Sequence, residues 1–194
     1  MPPKIQEGSQ YGVWDGYDAG SGKAFARAIA AWNERFDQDV LFARPLPARM
    51  PKLSVRELTP GKVPDVMAVA GAPLIVSQSI RDVLDAAAGD TVQFVPVQVL
   101  KRPTVPYFLL NVLTRIEAAD PEKSEFVEFG SPPHVFRRIR KLVLKPVAPG
   151  TPAIFRPKEL PIILVCDHLR RQLQAVSEAP GIFTPLSRYR FGVF

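Results

Sequence analysis

The chain has 194 residues, 46% hydrophobic and 23% charged, with 21 prolines, a single cysteine and a net charge of +6. That balance suits an ordinary globular protein of one domain, and the lone Cys166 excludes an internal disulfide framework. The longest apolar runs, such as Tyr107–Val112, fall far short of the roughly 20 residues a membrane helix needs, and the opening MPPKIQEGSQ has no apolar signal core, so a cytoplasmic, reducing setting is the simplest expectation.

In chain order, Tyr11–Asp15 is predicted as a short strand. Ser21 can cap the next segment, in which Phe25, Ala28, Ile29, Trp32 and Phe36 fall at helical spacing. This stripe predicts the principal helix of the N-terminal part. Residues 42–64 are proline-rich and read as extended or looped. Residues 73–76 form a short apolar strand, and Ser77 or Ser79 can cap a helix that places Ile80, Val83, Leu84 and Ala87 on one face. Gly89-Asp90 ends it, and Thr91–Leu100 follows as a strand rich in Val and Phe. Tyr107–Leu113 is apolar on both faces, which predicts a central, covered strand.

Residues 118–124 then form a turn, and Ser124–Phe129 a strand. Residues 135–144 carry both periodicities, with an extended element favoured over Arg140–Lys145. Short strands are predicted at Ala153–Arg156 and Ile162–Val165. A helix capped by Asp167 follows, with Leu169, Gln172, Leu173 and Val176 on one face. Pro180-Gly181 is the stop before a last strand at Ile182–Leu186.

Two of these stretches echo each other. Leu74–Val97 and Ile163–Leu186 align without a gap at an offset of 89 residues, with identities at Val76/Val165, Arg81/Arg170, Leu84/Leu173, Ala86/Ala175, Phe94/Phe183 and Pro96/Pro185. The pattern predicts an α+β fold: a mixed or mainly antiparallel sheet with packed helices, containing two similar strand–helix–strand units. We expect a single domain over residues 1–194. Residues 1–60 would supply an N-terminal helix and a proline-rich extension, and residues 61–194 the main core.

Chemical motifs are sparse. Gly16–Ala24 (GYDAGSGKA) resembles a phosphate loop, but its first glycine is one residue too distant and Ala24 stands where a magnesium-binding hydroxyl belongs. Cys166 and His168 are near neighbours, yet their counterparts in the first unit are Ser77 and Ser79, which points to small residues at a helix start rather than a nucleophile and its base. His134 and His168 are isolated, so neither a zinc site nor any cofactor is expected. The carboxylate pairs Glu34 with Asp37 or Asp39, and Glu125 with Glu128, have no partner group that singles one out. No catalytic residue is assigned.

Charge is the stronger signal. Residues 131–194 carry eleven basic and three acidic side chains, a net +8. The densest patch is His134-Val-Phe-Arg-Arg-Ile-Arg-Lys141, and Arg137, Arg138, Arg140 and Lys141 are the candidate partner-binding residues. A plain solvated face is the first reading of this patch, a protein partner the second. The third is a nucleic-acid-binding module over Arg137–Lys145, for which Phe136 is the only aromatic inside the run.

A series of segments carries a resemblance. It includes Leu46-Pro-Ala-Arg-Met-Pro-Lys52, Pro64-Asp-Val-Met67, Leu74-Ile-Val-Ser77, Gln93-Phe-Val-Pro-Val97 and Tyr107-Phe-Leu-Leu-Asn-Val112. It continues with Ala119-Asp-Pro-Glu-Lys-Ser124, Arg138-Ile-Arg-Lys-Leu-Val-Leu144, Ile154-Phe-Arg156, Ile163-Leu-Val165 and Gly181-Ile-Phe183. In order and spacing over about residues 46–186, the chain resembles the bacterial polymorphic-toxin immunity family known as immunity protein eleven, formerly a domain of unknown function. The resemblance implies a non-enzymatic protein that neutralises a cognate toxin by steric occlusion in the cytoplasm of the producing cell; it also implies that the toxin is one of those commonly delivered to competitors by type VI or related secretion. The implied partner is the toxin or effector protein, neither nucleic acid nor a membrane, with homodimerisation open. The basic C-terminal third then suggests an acidic toxin surface.

Overall fold

The computed structural model describes residues 11–15, 25–30, 39–40, 42–49, 52–57, 64–69, 74–100, 104–129, 135–146, 148, 150–178 and 180–190. Six strands close into a barrel: β2 (Phe25–Ala30), β3 (Leu53–Glu57), β4 (Val66–Val69), β5 (Leu74–Ser77), β6 (Val92–Leu100) and β7 (Tyr107–Val112), in the order β2-β3-β6-β7-β5-β4. The β3–β6 and β2–β4 pairs are parallel and the other four antiparallel. A second sheet has β1 (Tyr11–Asp15), β8 (Arg115–Ile116), β11 (Ile154–Pro157), β12 (Ile163–Cys166) and β13 (Ile182–Pro185) in the order β13-β1-β12-β11-β8. A hairpin, β9 (Glu125–Phe129) with β10 (Val135–Lys141), stands apart from both. With helices α1 (Gln78–Ala88) and α2 (Asp167–Val176), the fold is α+β with mixed sheets.

Strand alternation separates two cores. Inside the barrel Leu53, Val55, Met67, Ile75, Val97, Val99, Tyr107 and Leu109 pack together. The alternate residues, among them Val66, Leu74, Val76, Phe108, Leu110 and Val112, join a larger core with the helices and the second sheet. This double covering is why β7 is buried at all six positions, as its two apolar faces require. The helices touch each other. Ile80, Leu84, Ala87 and Ala88 are the buried face of α1, and Leu169 and Leu173 that of α2. Gln172 and Val176, expected on the same face, are exposed because α2 is anchored through one narrow stripe. Gly89 ends α1 at φ +49°, a conformation that costs a glycine little. Cys166, not Asp167, is the N-cap of α2, its sulfur accepting the Leu169 N–H at 3.5 Å.

The two halves share strand registers. Ser77, Val76, Ile75 and Leu74 lie opposite Tyr107, Phe108, Leu109 and Leu110. Cys166, Val165, Leu164 and Ile163 lie opposite Tyr11, Gly12, Val13 and Trp14 in the same order. Phe94 and Pro96 pair with Leu110 and Phe108, while Phe183 and Pro185 pair with Trp14 and Gly12. β4 meets β5 as β11 meets β12, and β2 runs parallel to β4 as β8 runs parallel to β11. The N-terminal strand β1 thus holds, in the second sheet, the central place that β7 holds in the barrel. The match has chemical consequences. Arg81 lies 4.3 Å from the centroid of Phe108 and 5.5 Å from that of Phe94. In the second sheet Gly12 stands at the register position of Phe108, and the counterpart Arg170 bonds Asp167 at 3.1 Å.

The expected helix at Phe25 is corrected: residues 25–30 are strand β2. Its backbone pairs with β3 on one side and β4 on the other, and this long-range hydrogen bonding overrides the helical spacing of the segment. Residues 31–38, including Trp32, lie outside the described residues, as does the phosphate-loop-like stretch 16–24. Part of the proline-rich region is strand β3, and Arg44–Leu46 is laced onto the barrel. Gln93 exchanges two 2.9 Å hydrogen bonds with the Leu46 backbone, and the fully buried Asn111 donates to the Arg44 carbonyl at 2.8 Å.

Candidate functional site

The basic segment forms most of β10. Its pairing with β9 slips twice, between Phe136 and Arg138 and between Ile139 and Lys141, so Arg137 and Arg140 are the extra residues of two β-bulges. The second bulge breaks simple alternation. Ile139 is fully buried and Leu142 nearly so, whereas Arg138, Arg140 and Lys141 are all exposed. Two neighbouring cations on the same side would be unavailable to a regular strand. The structure therefore brings three of the four predicted residues to the surface together. The side chain of Arg137 and the carboxylates Glu34, Asp37 and Glu128 lie outside the described side chains.

Clefts flank this ridge on both sides. One, of about 640 Å³, is lined by Pro121, Ser124, Glu125, Phe126, Val127, Arg138 and Arg140. The other, of about 470 Å³, runs between Arg140–Leu144 and Leu186, Ser187 and Arg190, with Glu125 at its edge. Arg140 and Glu125 line both. Val127, on the same hairpin, is 56% exposed.

The turn before the hairpin holds these walls in place. Asp120 accepts the N–H groups of Glu122 and Lys123 at 3.1 and 3.2 Å and pairs with the Lys123 ammonium at 3.0 Å. The hydrogen bond from Lys123 holds the Asp120 carboxyl below its ordinary range. Ser124 Oγ donates to the Val143 carbonyl at 3.1 Å and accepts the Val143 N–H at 3.0 Å. Beside the isolated bridge of Ala119 with Leu144, Lys145 binds Glu117 at 2.6 Å.

Cys166 is a buried free thiol and His168 is exposed, so the helix start separates them. Among the described residues no group of three or more His, Cys, Asp or Glu could hold a metal ion. Arg156 is only 4% exposed on β11, directly across from Arg115 on β8. Burial and then the Arg115 charge push its guanidinium down to about 10. It has no carboxylate partner among the described residues, and the Nε atoms of both arginines are buried without a hydrogen bond. No helix among the described residues is long and apolar enough to cross a membrane.

The sequence model of the Immunity protein family (Imm11) matches residues 24–185, most of the chain. The chain belongs to the Imm11 immunity protein family. Among curated proteins nothing matches it. The Imm11 match covers the barrel, α1, α2, the hairpin and four of the five strands of the second sheet, all but β1, and so includes Arg138, Arg140 and Lys141. What the sequence reading missed in this Imm11 protein is the far wall of the second cleft, Leu186, Ser187 and Arg190. The one available signal was that Leu186 ends the second echo, opposite the place of Val97.

Proposed function

We propose that this protein binds and neutralises a cognate secreted bacterial toxin in the cytoplasm of the cell that produces it, and that it does so by covering the toxin rather than by chemistry of its own. The Imm11 membership carries the reading. The surface is consistent with it: cations at an exposed bulge, beside clefts with apolar walls, are the groups that anchor protein interfaces and speed encounter with an acidic partner. Toxin delivery by type VI or a related secretion system belongs to the same proposal.

A nucleic-acid module over Arg137–Lys145 is less well supported. Phe126, the aromatic lining the 640 Å³ cleft, packs against the core, and a stacking platform needs an exposed ring. The test is genetic. A candidate toxin, sought among the products of the genes next to this one, is expressed in a bacterium that lacks the pair, and growth stops. Co-expression of this protein restores growth; continued killing at matched expression would refute the proposal.

A further inference from the structure

The two halves part company at one seam. In the first half β6 continues past Val97 and pairs in parallel with β3, from Leu53↔Val97 to Arg56↔Leu100, which closes the barrel. In the second half β13 stops at Pro185, and the positions matching Val97–Val99, Leu186–Arg188, turn into a 3-10 helix. The segment matching β3 is present. Val143 and Lys145 bond Asp120 and Ala118 at 2.8 Å each, and Leu144 bridges Ala119. Among the described residues no strand pairing joins that segment to Leu186–Arg188. The 470 Å³ cleft is the opening that results.

We propose that the open seam receives an extended acidic segment of the partner, with at least one apolar side chain set into it. This rests on the toxin-binding reading and names the chemistry of the contact. Arg140, Lys141 and Arg190 stand around the cleft against the single carboxylate of Glu125, and Arg138 extends the positive wall into the adjoining cleft. Such a lining favours a chain rich in Asp and Glu and repels a basic one. Arg190 is already held in place, its Nη1 donating to the carbonyls of Ser187 at 3.1 Å and Tyr189 at 2.8 Å, so little order is lost when an acid binds it. Leu142, Leu144 and Leu186 supply the apolar wall. In the barrel the corresponding edge of β3 pairs with an extended strand, β6, whereas the matching edge of residues 143–145 has no strand partner among the described residues.

The test uses the full-length protein and a purified candidate toxin, sought among the products of the genes next to its own. Binding is titrated for the wild type, for the double variant Arg140→Glu/Arg190→Glu, for Ser187→Trp, which fills the cleft, and for Arg171→Glu on α2 as a control outside both clefts. Hydrogen exchange is followed over residues 140–145 and 186–190. The expected result is binding weakened about 10- to 100-fold by the double variant and by Ser187→Trp. Arg171→Glu should bind as the wild type does, and exchange should slow along both walls when the toxin is bound. Wild-type affinity in both cleft variants, with exchange unchanged along the walls, overturns the seam while leaving the toxin reading intact. A wild type that does not bind the toxin overturns both.

Discussion

Tyr11 and Tyr107, 96 positions apart in sequence, make the same hydrogen bond in the two halves. Tyr11 lies across from Cys166 and donates its hydroxyl to the Pro152 carbonyl at 3.1 Å; Tyr107 lies across from Ser77 and donates to the Pro64 carbonyl at 3.4 Å. Each bond ties its strand, β1 or β7, to the residues leading into the strand beyond its neighbour, β11 or β4. Tyr11→Phe should therefore lower unfolding free energy by about 1 kcal/mol, the usual worth of such a bond, in a urea titration at pH 7.

The same phenol predicts an alkaline effect. Burial, and then Cys166, raise the Tyr11 pKa above its ordinary value of 10.0. The folded state therefore keeps its proton where the unfolded chain loses it. The contribution is complete below pH 10 and is lost as pH rises beyond it. Between pH 8 and pH 11 the wild type should lose more stability than Tyr11→Phe does; parallel losses would contradict the assignment.

Arg156 carries the opposite sign. A buried cation beside another cation, with no carboxylate partner among the described residues, costs stability. Arg156→Met should stabilise the fold by about 1–4 kcal/mol at neutral pH. The wild-type guanidinium, depressed to about 10, sheds its charge in the folded state before it does so in the unfolded chain. The penalty is therefore full below pH 10 and eases above it, so the advantage of Arg156→Met should shrink between pH 9 and pH 11.5 in paired urea titrations.

Much of this architecture was legible because single strands declare themselves. Tyr107–Val112 is apolar on both faces and is central. Apolar stripes and stop signals found α1 and α2 with their flanking strands. The match of β1 with β7 was hidden, since Tyr11-Gly-Val-Trp14 and Tyr107-Phe-Leu-Leu110 share only the tyrosine and sit at different places in chain order. β2 was misread because Ala, Phe and Ile suit a helix until two neighbouring strands claim the backbone. At the site, Arg138, Arg140 and Lys141 were legible as charge. Arg190 and Leu186 reach the same cleft only through tertiary folding, and no local pattern announces a bulge at Arg140.

Asp120 should act as a clamp on the hairpin. Its carboxylate organises the turn that Ser124 ties to Val143. Asp120→Ala should lower the melting temperature at pH 7. Because the folded-state pKa is depressed, the contribution is present above the ordinary value of 3.8 and fades as pH falls through the folded value. The difference in melting temperature between variant and wild type should close toward pH 2.5; a difference that stays constant would assign Asp120 a purely steric role.

The central claim is that this Imm11 protein works by binding a toxin. Its most direct measurement mixes the purified protein with a purified candidate toxin, sought among the products of the genes next to its own, and follows complex formation and toxin activity together, across a salt series. The account predicts a stable complex in which toxin activity is lost in step with binding, and an affinity that weakens as salt screens the cations around Arg140. A toxin that stays fully active in the presence of excess protein, with no complex at low salt, would contradict it.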